Sequence, residues 1–65
     1  METIDLTIPT MKSAHCELAV SNAVRNTGAK IKNIYPSRLI VELADGINRS
    51  AVINAIEKAG YKVDA

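Results

Sequence analysis

The apolar residues of this chain of 65 residues repeat with two different periods, and the order of those periods restricts the possible folds. Ile4, Leu6 and Ile8 alternate with polar residues, which is the period of a half-buried strand. Pro9 ends this strand because proline has no N–H for a ladder. From residue 14 the apolar spacing changes to three and four, as on one stripe of a helix. Gly28 follows where helices commonly close with a left-handed residue.

The second part of the chain repeats this order of periods. It predicts a strand at 30–35, a turn at 36–38, a strand at 39–43, a turn at Asp45-Gly46, a helix at 48–59 and a strand at 61–63. Ile31 and Ile34 are three residues apart, which predicts a bulge in the second strand. Ser13 is preferred over Ala14 as the N-cap of the first helix because its oxygen can accept from first-turn amides.

The resulting order, βαββαβ, is that of the ferredoxin-like α+β fold, with two helices on one face of a four-stranded antiparallel sheet. Residues 1–65 leave room for one domain only. The chain has two tyrosines and neither Phe nor Trp, so its core must be aliphatic. The predicted core residues are Ile4, Leu6, Ile8, Val20, Val24, Val41, Val52 and Ile56.

Charge and composition exclude several classes of function. A formal net charge of +1 and strands without aromatic residues for base stacking argue against nucleic acid as a partner. The sequence shows no signal peptide and no apolar run that could span a membrane, so we expect a protein that is cytoplasmic and not membrane-embedded. A single cysteine excludes an internal disulfide and leaves a free thiol, an intermolecular bridge or a metal ligand.

The stretch "MKSAHC", residues 11–16, contains that cysteine together with the single histidine. It spans the loop after the first strand and the first turn of the first helix. Unpaired amides at a helix start favour the thiolate form of Cys16. Thiolate is the form that binds Cu(I), Zn(II) or Hg(II). The position of Cys16 therefore predicts a site for a soft metal ion.

Three segments resemble the heavy-metal-associated domain family of copper chaperones, mercuric-ion-binding proteins and metal-transporting ATPase modules. "IDLTIPTM" is similar to the family's first strand and loop methionine, "MKSAHCELAVSNAV" to its Met-x-Cys-x-x-Cys loop and helix, and "IEKAGY" to the end of its second helix. The resemblance covers nearly the whole chain. It implies that Cys16 is the second metal-binding cysteine, that Met11 packs beneath the loop, and that Tyr61 lies near the metal.

Three positions depart from the family pattern. Thr10 replaces a glycine, and the spacing after Gly28 differs. Ser13 stands at the first cysteine ligand, where a neutral hydroxyl is a poor donor to a soft cation. The sequence is compatible with an engineered Cys-to-Ser replacement and with a natural degenerate member of the family.

Each candidate residue also has a plainer interpretation. Without the surrounding motif, Cys16 would be interpreted as a small apolar residue at the start of a helix. His15 reads as a solvent-facing side chain, although its nitrogen could serve zinc. Lys12, Lys58 and Lys62 form a predicted basic rim. In the plainer interpretation these lysines only keep the protein soluble, whereas the resemblance implies that they dock to an acidic partner. Catalysis is rejected because His15 and Cys16, adjacent in a helix, point about 100° apart.

The prediction is a non-enzymatic protein that binds a soft metal ion and transfers it by thiolate exchange, with a site impaired by Ser13. Copper(I) is preferred, and Hg(II), Zn(II) and Cd(II) also suit thiolates. The resemblance implies a metal-transporting ATPase or another domain of this family as partner. We also expect a homodimer bridged through Cys16 by a metal ion or a disulfide. The alternative function is a metal-free protein–protein interaction module.

Overall fold

A computed structural model describes residues 2–64 as a two-layer α+β domain. The elements are β1 (Glu2–Thr7), α1 (Ala14–Asn26), β2 (Lys30–Tyr35), β3 (Arg38–Leu43) and α2 (Arg49–Lys58). The sheet has the order β1-β3-β2, and both pairs are antiparallel. Alternate residues of β1 and β3 are buried, so the two helices cover one face of the sheet. The predicted α+β class is confirmed, but the sheet has three strands within residues 2–64 and not the predicted four.

The predicted strand at 61–63 is wrong: within the described part of the chain this segment makes no ladder. It runs antiparallel to β1 but is joined to it by a single bridge, in which the Asp64 amide donates to the Thr7 carbonyl at 2.7 Å. In this register the next hydrogen-bonding pair would be Pro9 with Lys62. Because Pro9 has no N–H, that pair cannot form completely. Burial of Tyr61 and Val63 against the core holds the segment in place instead.

The core is aliphatic, as the composition requires. All eight predicted core residues are at most 7% exposed. Met11 and Leu39 are also fully buried. On α1 the buried residues are Val20, Ser21 and Val24, so the buried face includes one polar residue that the apolar spacing does not predict. The predicted bulge is confirmed by a shift of register between Ile31 and Asn33.

Both helices begin at a side-chain cap. Ser13 Oγ accepts from the Cys16 amide, and Asn48 Oδ1 accepts from the Ala51 amide at 2.9 Å. Gly28 follows α1 with a φ of +94°, a backbone conformation that residues other than glycine rarely adopt. Ser13 is thus the N-cap that the sequence predicts. No helix in residues 2–64 is long and apolar enough to cross a membrane.

Candidate metal centre

The candidate site is formed by the loop of residues 8–13 and the first turn of α1. Met11 anchors this loop, since its side chain is fully buried in the core. Ser13 then caps α1, with 3.3 Å between its Oγ and the Cys16 nitrogen. Cys16 follows as a half-buried residue that packs against the core. The cap therefore places Ser13 and Cys16 next to each other at the helix start.

A second chain segment holds the loop from the side. The Ser37 amide donates to the Met11 carbonyl at 2.7 Å, and the Ile8 amide donates to the Ser37 carbonyl at 2.9 Å. The Met11 amide donates to the Ile8 carbonyl at 2.9 Å and closes a turn within the loop. The sequence predicts a turn at 36–38, but nothing in its residue types indicates contact with residues 8–13. This contact was missed because it depends on the tertiary structure.

The electrostatic environment favours the thiolate form of Cys16. Hydrogen bonding by the Ser13 hydroxyl is the largest cause that holds the pKa of the Cys16 thiol below its ordinary value. Tyr61 is the second cause, and backbone amides of Ser13 and Lys12 add to it against the opposing effect of desolvation. The same interaction with Cys16 raises the pKa of the Tyr61 hydroxyl. The Tyr61 hydroxyl and the Cys16 thiol therefore influence each other's protonation.

Few groups near Cys16 could bind a metal ion together with it. Ser13 and His15 are both exposed, and Met11 is buried. Across residues 2–64, no three His, Cys, Asp or Glu side chains come together as they would in a metal site. One thiolate is therefore the only strong donor to a soft ion that this loop presents.

The predicted basic rim is solvent-exposed but not uniformly basic. Lys12, Lys58 and Lys62 are all exposed. Glu57 lines the same shallow depression as Tyr61 and Lys62. An acidic partner would therefore meet a surface of mixed charge beside the loop.

Solved structures of similar proteins match nearly the whole of this chain. The solution structure of the N-terminal domain of ZntA in its Zn(II) form has a TM-score of 0.79 at 31% identity, covering 95% of this chain and 88% of that one. The copper chaperone Atx1 from Synechocystis PCC6803 has a TM-score of 0.76 at 28% identity, with coverage of 94% and 98%. The CopZ metallochaperone has a TM-score of 0.78 at 26% identity, with coverage of 97% and 100%. No family model and no curated protein matches the sequence.

Fold and loop together define a ferredoxin-like domain with a thiol at the start of its first helix. The ZntA domain shares 31% identity over 95% of this chain, which shows membership of one family as well as a common fold. The chain belongs to the heavy-metal-associated domain family.

Proposed function

We propose that this protein binds a soft heavy-metal ion, with copper(I) preferred, and passes it to a partner by thiolate exchange. The observation that carries the proposal is the half-buried Cys16 beside the cap of α1, with Ser13 and Tyr61 favouring its thiolate. Thiolate is the donor that soft ions select. The likeness to a copper chaperone and a metallochaperone supports the same role.

The small number of donors favours an ion of low coordination number. Structural zinc sites almost always have four ligands, and catalytic sites keep three from the protein. The described residues offer Cys16 as the single thiolate, so a zinc site within one chain would be incomplete. A soft ion such as Cu(I) or Hg(II), which accepts fewer sulfur ligands, suits this loop better than Zn(II) or Cd(II). His15 is a weaker second donor because its side chain is exposed in the first turn.

Ser13 weakens the site and leaves one coordination position for another molecule. A neutral hydroxyl is a poor ligand for a soft cation. A sulfur from a partner can occupy this position, as ligand exchange with a metal-transporting ATPase or another family member requires. A second copy of this chain can also supply it, giving a homodimer bridged through the two Cys16 thiolates by the ion, or by a disulfide after oxidation. Met11 and Tyr61 support the loop without binding the ion. The proposed setting is the cytoplasm, where a thiol remains reduced.

The second candidate function is a metal-free protein–protein interaction module. Ser13 at the position of the first cysteine favours it, since a protein that had lost metal binding would not need a thiolate at that position. Such a module would keep the fold and contact its partner through the face that carries the loop.

Competition with a colorimetric Cu(I) chelator under anaerobic conditions tests the proposal. We expect the protein to withdraw Cu(I) from the chelator and Cys16→Ala to withdraw far less. Leu18→Ala is the matched control, because Leu18 is 58% exposed on the same helix and carries no donor. Equal Cu(I) binding by the protein and by Cys16→Ala would contradict the proposal and favour the interaction module.

A further inference from the structure

We infer that Ser37 is a positioning residue for the loop of residues 8–13, an inference that rests on the metal-binding function proposed above. Ser37 lies between β2 and β3, far from the loop in sequence. Its amide donates to the Met11 carbonyl at 2.7 Å, and its carbonyl accepts from the Ile8 amide at 2.9 Å. Both backbone hydrogen-bonding groups of one residue thus hold the loop, one at its first residue and one at its methionine.

The conformation of Ser37 is unusual and belongs to the tight turn between β2 and β3. Its φ is +65°, and within residues 2–64 it is the single non-glycine residue with a positive φ. Left-handed backbone is unfavourable for a residue with a Cβ, so it persists where the surrounding structure imposes it. Here the two-residue turn of Pro36 and Ser37 imposes it, because β2 and β3 pair directly on either side of this turn. A residue that cannot adopt this conformation would change the turn and so break the contact with the loop.

The contact acts on the site through Met11. The Met11 side chain is buried in the core, and its carbonyl is bound by Ser37, so both parts of the residue are fixed. Met11 lies two residues before the cap of α1 and five before Cys16. The loop is therefore ordered before an ion arrives. Without the contact, binding would have to order about one more residue, which corresponds to about a tenfold loss of affinity.

The test compares substitutions of Ser37 that differ in the backbone they allow. Ser37→Pro removes the amide donor and fixes φ at a negative value, so both hydrogen bonds are lost. Ser37→Gly keeps the amide and adopts a positive φ freely. Ser37→Val, whose branched side chain disfavours this conformation, replaces the proline variant if that variant does not fold. Val52→Ala, a truncation of a fully buried residue of α2, is the control for general destabilisation.

Two readouts separate positioning from stability. Hydrogen exchange of the Ile8 amide, measured without metal, reports the contact itself. Anaerobic Cu(I) competition, with Cys16→Ala as reference, reports its effect on binding. We expect Ser37→Pro to speed Ile8 exchange and weaken Cu(I) binding about tenfold, Ser37→Gly to keep both properties, and Val52→Ala to keep the Cu(I) affinity of its folded fraction.

The possible failures are distinguishable. Unchanged Cu(I) affinity in Ser37→Pro, with faster Ile8 exchange, would overturn the positioning role and leave the metal-binding function standing. An equal loss of affinity in Val52→Ala would also overturn it, since the effect would then follow stability. Equal Cu(I) binding by the protein and Cys16→Ala would overturn the proposed function, and the Ile8 exchange rates would then decide the role of Ser37 in holding the loop.

Discussion

Two truncations on α1 test whether the helix presents the described face to the core. Val20 is fully buried, whereas Leu18, two residues earlier, is 58% exposed. Val20→Ala removes two carbons and Leu18→Ala removes three. If side-chain size alone decided the cost, Leu18→Ala would be the more destabilising change. We expect the opposite order because burial decides it.

The magnitudes follow from the exposure of the two side chains. At about 0.8 kcal/mol per buried carbon, Val20→Ala loses about 1.6 kcal/mol of transfer free energy. The cavity that remains brings the expected cost to about 2–3 kcal/mol. Because Leu18 is 58% exposed, Leu18→Ala loses less than half of the transfer free energy that a fully buried leucine would lose. The expected cost of Leu18→Ala is therefore at most about 1 kcal/mol. A domain of this length has a total stability of roughly 3–10 kcal/mol, so the Val20 truncation removes a large share.

Urea unfolding followed by circular dichroism measures both variants. A two-state transition with an unchanged slope converts the shift in midpoint into a free energy of unfolding. Val20→Ala should lower that free energy by at least about 1 kcal/mol more than Leu18→Ala does. Equal costs, or a larger cost for Leu18→Ala, would refute the described orientation of α1.

Three further predictions concern single side chains. The rate of Cys16 alkylation should reach half its maximum below pH 9.0, the ordinary pKa of a cysteine, and Ser13→Ala or Tyr61→Phe should move this midpoint upward; an unchanged midpoint in both variants would contradict the assigned cause. Arg38 donates to Asp5 with Nε at 3.0 Å and holds the pKa of that carboxyl below its ordinary 3.8. The folded state thus binds a proton at Asp5 less readily than the unfolded state does. The contribution of the Asp5–Arg38 pair to the free energy of unfolding should therefore be lost as the pH falls below 3.8 and through the lowered pKa. Acid unfolding of Asp5→Asn should not show this loss. Light scattering should show a dimer when about half an equivalent of Cu(I) per chain is added, and a Cys16→Ala variant that dimerises equally would exclude a thiolate bridge.

Local patterns predicted those parts of the fold that local chemistry determines. Ser13 caps α1 because its short side chain reaches the amides of its own first turn, whatever the rest of the chain does. The bulge near Ile31 follows from apolar residues three apart in a strand. Burial of Val20 and Val24 follows from helical period and aliphatic composition. Each of these predictions needed only neighbours within a few residues.

Two features depended on contacts between distant segments. The strand predicted at 61–63 has the right apolar pattern, but its partner in the ladder would be Pro9, which lacks an amide donor. The contact between Ser37 and the loop depends on the pairing of β1 with β3, because Ile8 and Ser37 continue the register of those strands. The role of Tyr61 near the metal stays a prediction that rests on the family resemblance, because the chain's own spacing carries no signal for it.

The central claim is that residues 11–16 form a metal-binding loop in which Ser13 occupies the position of a missing ligand. Anaerobic Cu(I) competition on Ser13→Cys tests it most directly, beside Ser50→Cys, which adds a thiol at an exposed position in the first turn of α2. Because Ser13→Cys supplies the second thiolate within the same loop, we expect it to bind Cu(I) at least about a hundredfold more tightly than the unaltered protein. Ser50→Cys should show no such gain. Equal affinities for the unaltered protein and Ser13→Cys, or an equal gain in Ser50→Cys, would contradict the claim.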